Sequence, residues 1–350
     1  MSEVVERISI PAEYGDAPAQ YAAVRGGGAG LIDFSSRGRI QLSGSEAVPF
    51  LNGLITNDVK SLASGSWMTA AFPNVQGRML AVVRILNQGE HFLIDTEPAT
   101  YAKVRQLLER FTLAGDFRVT DVTSQTVSFS VQGAGAPAVV ENALGEAAAT
   151  VERQRILQTN NADGALVSVI RSTHSGEDGF DLFIAAEHAR SLWDVLLAGG
   201  AQAIEPDMLE LLRVEAGVAR YGVDMDETTI VSETNLDDAV SFTKGCYIGQ
   251  EIIARIKYRG HVAKKLTGLI FDNGDGVSAG ARITAADKDA GRVTSVAYSP
   301  QLGRTIALAY VKYEFLAAGT TVRVIQDEAE HSAQVAELPF VRGSWYEPGG

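Results

Sequence analysis

Three short stretches carry side chains able to do chemistry. Residues 243–256, TKGCYIGQEIIARI, hold the only cysteine of the 350-residue chain. The apolar spacing after it predicts a helix over 248–258. If that helix starts near Gly249, Cys246 lies just outside its N-terminus, where the dipole and unpaired N–H groups favour an anion. Lys244 adds a nearby positive charge, and both would favour the thiolate. The same letters also read as a tight turn in which Cys246 is merely small. No histidine is near in sequence, so a Cys–His nucleophile needs a tertiary contact.

The second stretch is 171–182, RSTHSGEDGFDL. A strand ends, a glycine-bounded acidic turn follows, and a second strand begins. Phe180 and Leu182 share one face of that strand and Asp181 takes the other. Burying such a carboxylate is costly unless it finds donors. It could accept two parallel N–H bonds from a 2-amino-pyrimidinone ring, each charged hydrogen bond worth roughly 1.5–3 kcal/mol. The plain alternative is a turn acid facing water. The third stretch is LRVEAG at 212–217, followed by Tyr221-Gly222-Val223-Asp224. Arg213 within a largely apolar helix calls for a partner carboxylate. Glu210, three residues back, offers a surface pair of little energetic weight. His91, His188 and His331 sit beside acids in surface-like sequence and receive no role. Nothing matches a metal-binding His pair, a nucleophile elbow or a dinucleotide glycine fingerprint.

The elements that must position these residues follow from periodicity. Alternation predicts strands over 39–43, 67–72, 78–86, 91–95, 117–122, 127–131, 166–171 and 180–184. Helical spacing covers 101–111, 187–197 and 206–220, and Ser45 can cap a short helix through Phe50 and Leu54. The glycine-rich run 26–30 reads as a flexible entry, and 221–243 as a long ordered loop. Beyond His261, short β-rich runs alternate with Gly and Asp turns. They predict a small antiparallel barrel or sandwich on a mixed α+β body.

Composition sets the outer limits. One cysteine excludes an intrachain disulfide and any zinc or iron–sulfur site built by cysteines of this chain alone. The reading is a soluble, cytosolic protein with no signal peptide and no membrane span. A formal net charge of −13 disfavours broad nucleic-acid binding. Arg255, Lys257, Arg259, Lys264 and Lys265 nevertheless fall in a stretch without acids. It is suited to a small anion or an acidic tail, or is simply a solvated face.

Four motifs occur together in one order: FLNGLITNDV (50–59), GEDGFDL (176–182), RVEAG (213–217) and KGCYIGQE (244–251). This set resembles the folate-binding YgfZ/glycine-cleavage T-protein superfamily, and the KGCYIGQE signature resembles its YgfZ branch. The resemblance implies a three-domain, cloverleaf-like α+β arrangement with tetrahydrofolate in a central channel. The body would cover residues 1–260 and a C-terminal antiparallel β-barrel 261–350. In the superfamily's aminomethyltransferases the acid ending GEDGFE and the Arg of RLEAG line the folate pocket. Their positions here are Asp181, shorter by one methylene, and Arg213, while His174 stands where the family has Tyr.

The aminomethyltransferases also carry an Asp pair after a glycine. Here that stretch reads Gly77-Arg78-Met79-Leu80-Ala81-Val82, with no acid for the proton transfer. The YgfZ branch implies a folate-binding protein that supports assembly or repair of iron–sulfur enzymes, including tRNA-modifying ones. On that reading Asp181, Arg213 and His174 meet the pterin end, and Cys246 is a functional thiol near folate or a partner's cluster. Lys244 tunes the thiol, and Arg255 meets the folate tail or an acidic partner. Two alternatives stand beside it. One is a folate-dependent aminomethyl- or demethyl-transferase with Asp224 or Glu233 replacing the missing acid. The other is a scaffold that kept the fold and lost the ligand.

Overall fold

The computed structural model describes residues 14–110 and 115–346, and Arg259 without its side chain. Three units, each with its own sheet and core, make up the chain. The first is a six-stranded mixed sheet in the order Gln202–Ala203, Gly30–Asp33, Thr126–Gln132, Gly179–Ala185, Leu166–Arg171, Ile156–Asn160. Only its Gly30–Asp33/Gln202–Ala203 pair is parallel. The helices Ala136–Leu144 and Ala189–Ala198 cover one face, where Phe129, Phe180, Leu182, Val140 and Trp193 share one core. The second unit is a five-stranded antiparallel sheet, Ser66–Pro73, Met79–Asn87, His91–Thr96, Gly38–Ser43, Arg118–Asp121. The helices Ala47–Leu54 and Tyr101–Glu109 bury Leu51, Val104 and Leu108 against its Ile40, Val83 and Ile85.

Each of these sheets alternates faces with period two. Phe180 and Leu182 face the first unit's helices, so Asp181 and Phe183 face away from them. Val83, Ile85 and Ile94 face the second unit's helices, so Arg84, Leu86, Leu93 and Asp95 face away. These second faces pack on each other. Leu86, Leu93, Ile170 and Phe183 join in one buried cluster, and Arg84, Asp95 and Asp181 form a charged one beside it. Sequence alternation therefore delivers both an apolar seal and a buried ion network to the same seam.

The third unit is a closed six-stranded antiparallel barrel, not a sandwich. Lys264–Phe271, Arg304–Lys312, Lys288–Ser299, Arg282–Ala285, Thr321–Gln326 and Ala329–Ala336 pair in that order, and the last strand returns to the first. Closure leaves no strand edge to solvent. The helix Pro206–Glu215 carries the barrel on one side, where Val214 meets Leu266, Ile306, Leu308 and Tyr310. Among the described residues no helix is long and apolar enough to cross a membrane.

Several expectations change. The glycine-rich run 26–30 is a turn into the strand Gly30–Asp33, and an unexpected helix, Ala17–Arg25, precedes it. Asp16 caps this helix by accepting from Ala19 N–H at 2.8 Å, and Pro18 occupies its first turn. The helix expected over 206–220 stops at Glu215, because Gly217 takes φ +69° and sits against Leu338, where a Cβ would lie 2.8 Å from that side chain. Ser45 does not cap its helix. Its hydroxyl donates to Asp116, and the helix begins at Ala47. Phe111, expected at a helix end, lies outside the described residues. The long loop 221–243 is ordered because it straps the second sheet: Tyr221 donates to Met79 O at 2.9 Å and Met79 N–H to Thr229 O at 2.8 Å.

Candidate functional site

A cavity of about 360 Å³ opens where the seam between the sheets meets the helix Pro206–Glu215 and the 218–236 loop. Its walls are mostly apolar and include Phe34, Val82, Leu209, Met225 and Leu236. A few polar groups converge on it, notably Arg37, Arg84, Glu97, His174, Glu210 and Arg213. Apolar walls with a small polar set are the usual make-up of a small-molecule site.

Of the expected ligand-binding residues, His174, Asp181 and Arg213 come together here, but not in the expected roles. Asp181 is fully buried and lies behind His174. His174 Nε2 sits 2.9 Å from its Oδ2 and 3.2 Å from its Oδ1, while Arg84 donates to the same Oδ2. Burial alone would raise the Asp181 carboxyl, but His174 and Arg84 hold it well below its ordinary range. The carboxylate expected to meet a pterin ring is thus already met by protein donors.

Arg213 is equally committed. Its Nε donates to Glu210 at 2.8 Å, and its Nη1 to Val218 O at 3.1 Å and Asp224 at 2.8 Å. Its Nη2 reaches Ser295 at 2.8 Å and Glu210 at 2.7 Å. A guanidinium has five N–H donors; four make hydrogen bonds here, and Nη2 also pairs with Glu210 as an ion pair. Arg213 and Glu210 also line an outer groove with Tyr21, Met208, Val223 and Tyr298. The pair is therefore a partition that ties helix, loop and barrel together, rather than the weak surface pair expected.

The motif acids beside them are structural as well. Glu177 of GEDGF and Glu215 of RVEAG both accept from Arg25, at 2.9 and 3.0 Å. Glu177 also receives Ser344 N–H and hydroxyl. The entry helix and the C-terminal segment are thereby pinned to the turn that carries His174.

Neither proposed replacement for the missing acid is available. Asp224 is 4% exposed and accepts at Oδ1 from the Thr294 and Ser295 hydroxyls and at Oδ2 from Arg213 Nη1 and the Arg220 backbone N–H. Burial raises the Glu233 carboxyl, but this side chain accepts from Ile230 N–H and does not line the cavity. Ala81 packs into the second unit's core. The same strand reaches the cavity through Val82 and Arg84, so no acid comes from it on either face.

The Cys246 region lies elsewhere. Lys244 Nζ donates to the carbonyls of Asn52, Ile55 and Asn57 at 2.7, 2.9 and 2.6 Å, around the end of the helix Ala47–Leu54. Burial pushes its ammonium down to about 8, and the three carbonyls act in the opposite sense by favouring the charged form. Lys244 is thus a latch for the loop, not a free charge beside the thiol. Tyr247 is buried, and Gly249, at φ +78°, lies so close to Asn74 that a Cβ would fall 2.3 Å from its carbonyl oxygen. The loop is pinned on every side of Cys246, which itself is exposed. Arg255 is on the solvent face of the helix Gln250–Arg259 and does not line the cavity. Among the described residues no group of three or more His, Cys, Asp or Glu side chains could hold a metal ion.

Sequence reasoning missed Arg37, Arg84, Asp95 and Glu97. Arg84 and Asp95 are single charges in apolar strands, a pattern that signals a buried pair without saying with whom. Arg37 donates to both Asp95 and Glu97 from the turn before its strand.

Residues 3–244 match the GCVT N-terminal domain and residues 264–342 the glycine cleavage T-protein C-terminal barrel domain. The chain is 32% identical over 342 residues to an aminomethyltransferase of Rubrobacter xylanophilus, covering 97% of this chain and 90% of that one. It is 29% identical over 339 residues to an aminomethyltransferase of Halalkalibacterium halodurans, covering 95% and 92%. The crystal structure of the glycine cleavage system aminomethyltransferase T from Bartonella henselae superposes with a TM-score of 0.83 at 23% identity, over 93% of this chain and 90% of that one, and shares its fold. None of these similarities singles out the YgfZ branch.

Proposed function

We infer the function from one premise: the chain belongs to the glycine cleavage T-protein family. Tetrahydrofolate is the cofactor of that family. We propose that this protein binds tetrahydrofolate in the cavity at the seam and transfers a one-carbon unit from an aminomethyl donor. The observation that carries this reading is the similarity to proteins named aminomethyltransferase along nearly the whole chain.

The cavity's residues fit such a cofactor in part. Apolar walls at Phe34, Val82 and Leu236 suit an aromatic ring and help exclude water from it. Glu97, whose side chain is 22% exposed, and His174 would accept from ring N–H groups, and Arg220, 42% exposed, would meet an anionic tail. Asp181 and Arg213 would act from behind, by fixing His174 and the partition. When bound, tetrahydrofolate supplies the nitrogen that receives the one-carbon unit. The test is an anaerobic calorimetric titration of wild type and Glu97→Gln with tetrahydrofolate, followed by an assay for methylenetetrahydrofolate. Absence of binding to wild type would remove the reading.

One observation favours a second reading. KGCYIGQE places an exposed thiol on a rigid outer loop, away from the cavity lining. A folate-binding protein that serves iron–sulfur enzymes would use Cys246 toward a partner, to which one cysteine can give a single cluster ligand. That role requires Cys246→Ala to lower activity of a tRNA-modifying iron–sulfur enzyme in cells while leaving folate binding intact. Unchanged activity would discard it.

A further inference from the structure

Asp181 leaves one edge of the His174 ring for the cavity. A carboxylate gripped by Arg84 is an acceptor, so the Nε2 facing it carries the hydrogen. When the ring is neutral, the lone pair therefore belongs to Nδ1. Among the described residues Nδ1 has no hydrogen-bond partner, and the ring lines the cavity. Its position is fixed from three directions. The ring stands edge-on to Phe34 with centroids 4.8 Å apart. The backbone N–H of His174 donates to Oε1 of the fully buried Gln132 at 2.8 Å. Asp181, held low by His174 and Arg84 against its burial, stays an anion through the neutral range.

The other charged groups sharing this cavity are already held by protein partners. Glu210 is taken by Arg213 and Arg220, Glu97 by Arg37, and Arg84 by Asp95 and Asp181. Asp33 accepts from Ser35 N–H and hydroxyl. A carboxylate that orients an imidazole, with the imidazole's far nitrogen open to a bound molecule, is the arrangement that makes histidine a proton carrier.

We propose that His174 is the acid–base residue of this cavity, exchanging a proton at Nδ1, and that Asp181 is the positioning residue that sets its tautomer. The reaction served rests on the folate-dependent transfer inferred above, whereas the orientation of the ring does not. In that transfer Nδ1 takes a proton from an N–H of the bound nucleophile as its bond to the one-carbon unit forms. Nδ1–H then returns the proton to the amine nitrogen, whose bond to that carbon breaks and which leaves as ammonia. The nucleophile's second N–H nitrogen then bonds to the same carbon as the carbon–sulfur bond breaks, and its proton goes to the departing thiolate. Two protons leave nitrogen and two are delivered, one to ammonia and one to the thiol, so no redox partner is needed. This supplies the agent that Ala81 does not.

Two measurements test it. The first is a long-range proton–nitrogen NMR correlation on protein labelled at its five histidines, with His174 assigned by loss of its signals in His174→Gln. The expected neutral ring is protonated at Nε2 and bare at Nδ1. A ring protonated at Nδ1 overturns the proposal whatever the protein binds. The second follows ammonia release from an S-aminomethylated small thiol in the presence of tetrahydrofolate. His174→Gln should bind tetrahydrofolate but turn over about 100-fold or more slowly, lose the acid limb of the rate profile, and, as His174→Gly, be partly restored by free imidazole. An unchanged rate in His174→Gln overturns the proposal. If wild type fails to bind tetrahydrofolate, the transfer reading falls, and the tautomer alone then decides the orientation claimed for His174.

Discussion

Arg84 and Asp181 belong to different sheets and form a buried ion pair, their side chains 9% and 0% exposed. From Arg84 the charges continue in alternation. Its Nε donates to Asp95 Oδ2 at 2.9 Å, and its Nη2 lies 2.8 Å from the same oxygen without a good hydrogen-bond angle. Arg37 reaches that oxygen from the other side at 2.8–2.9 Å. The chain Arg37–Asp95–Arg84–Asp181–His174 thus begins in one unit, crosses the seam and ends at the cavity. Each charge in it is kept by its neighbours, and none would be tolerated alone at this depth.

Removing Arg84 should therefore cost more than a surface charge does. In Arg84→Met both Asp95 and Asp181 lose a partner while remaining buried, and a broken buried pair typically costs about 3–5 kcal/mol. Urea unfolding of the variant should show that loss. Adding Asp181→Leu to Arg84→Met should recover a substantial part of it, because the uncompensated carboxylate is then gone. A double variant no more stable than the single one would argue against the pairing.

The same network sets an acid limit. Burial alone would raise both carboxyls, but Arg37 and Arg84 beside Asp95, and His174 and Arg84 beside Asp181, hold them low. In the unfolded chain an Asp titrates near about 3.9. The unfolded state thus binds protons first. The stabilisation is fully present above about pH 4 and is lost as the pH falls toward the folded values. Unfolding free energy measured in steps from about pH 6 to about pH 3 should drop below pH 4, with a shallower slope in Asp181→Asn. Equal slopes would show that Asp181 is not part of the limit.

How far the letters predict this site depends on the range of each contact. Alternation at 179–185 places Asp181 opposite Phe180 and Leu182, and the structure agrees because that pattern is local. Arg84 is 97 residues from Asp181 in the chain, and a lone Arg in AVVRIL names no partner. The entry helix had its signals in Asp16 and Pro18, but the following glycines masked them. Lys244 shows the opposite error. It is two residues from Cys246 in sequence, yet its ammonium is held by the carbonyls of residues 52–57.

Arg213 offers a test of whether the family's motif arginine is a ligand or a joint here. With four N–H donors hydrogen-bonded, Arg213→Lys keeps the charge but cannot span Glu210, Asp224 and Ser295 together. The expected loss is about 1.5–3 kcal/mol, the worth of a hydrogen bond to a charged group. Loosened docking of the barrel should appear as faster proteolysis within 216–224. Loss of tetrahydrofolate affinity without loss of stability would instead make Arg213 a direct ligand.

The KGCYIGQE loop separates packing from chemistry within eight residues. Gly249→Ala must hold an L side chain at φ +78° with its Cβ 2.3 Å from the Asn74 carbonyl oxygen. Such a backbone position alone costs about 1–3 kcal/mol, and relief of the clash would shift the 74–77 turn. Cys246 is exposed, so Cys246→Ala should stay within about 0.5 kcal/mol of wild type. Thermal unfolding of the two variants compares them directly. A silent Gly249→Ala would mean that the loop is not pinned at that glycine, and a Cys246→Ala that melts early would mean that the thiol packs into the loop rather than being displayed by it. Melting of Gly249→Ala alone would leave Cys246 as the residue this rigid loop presents to solvent.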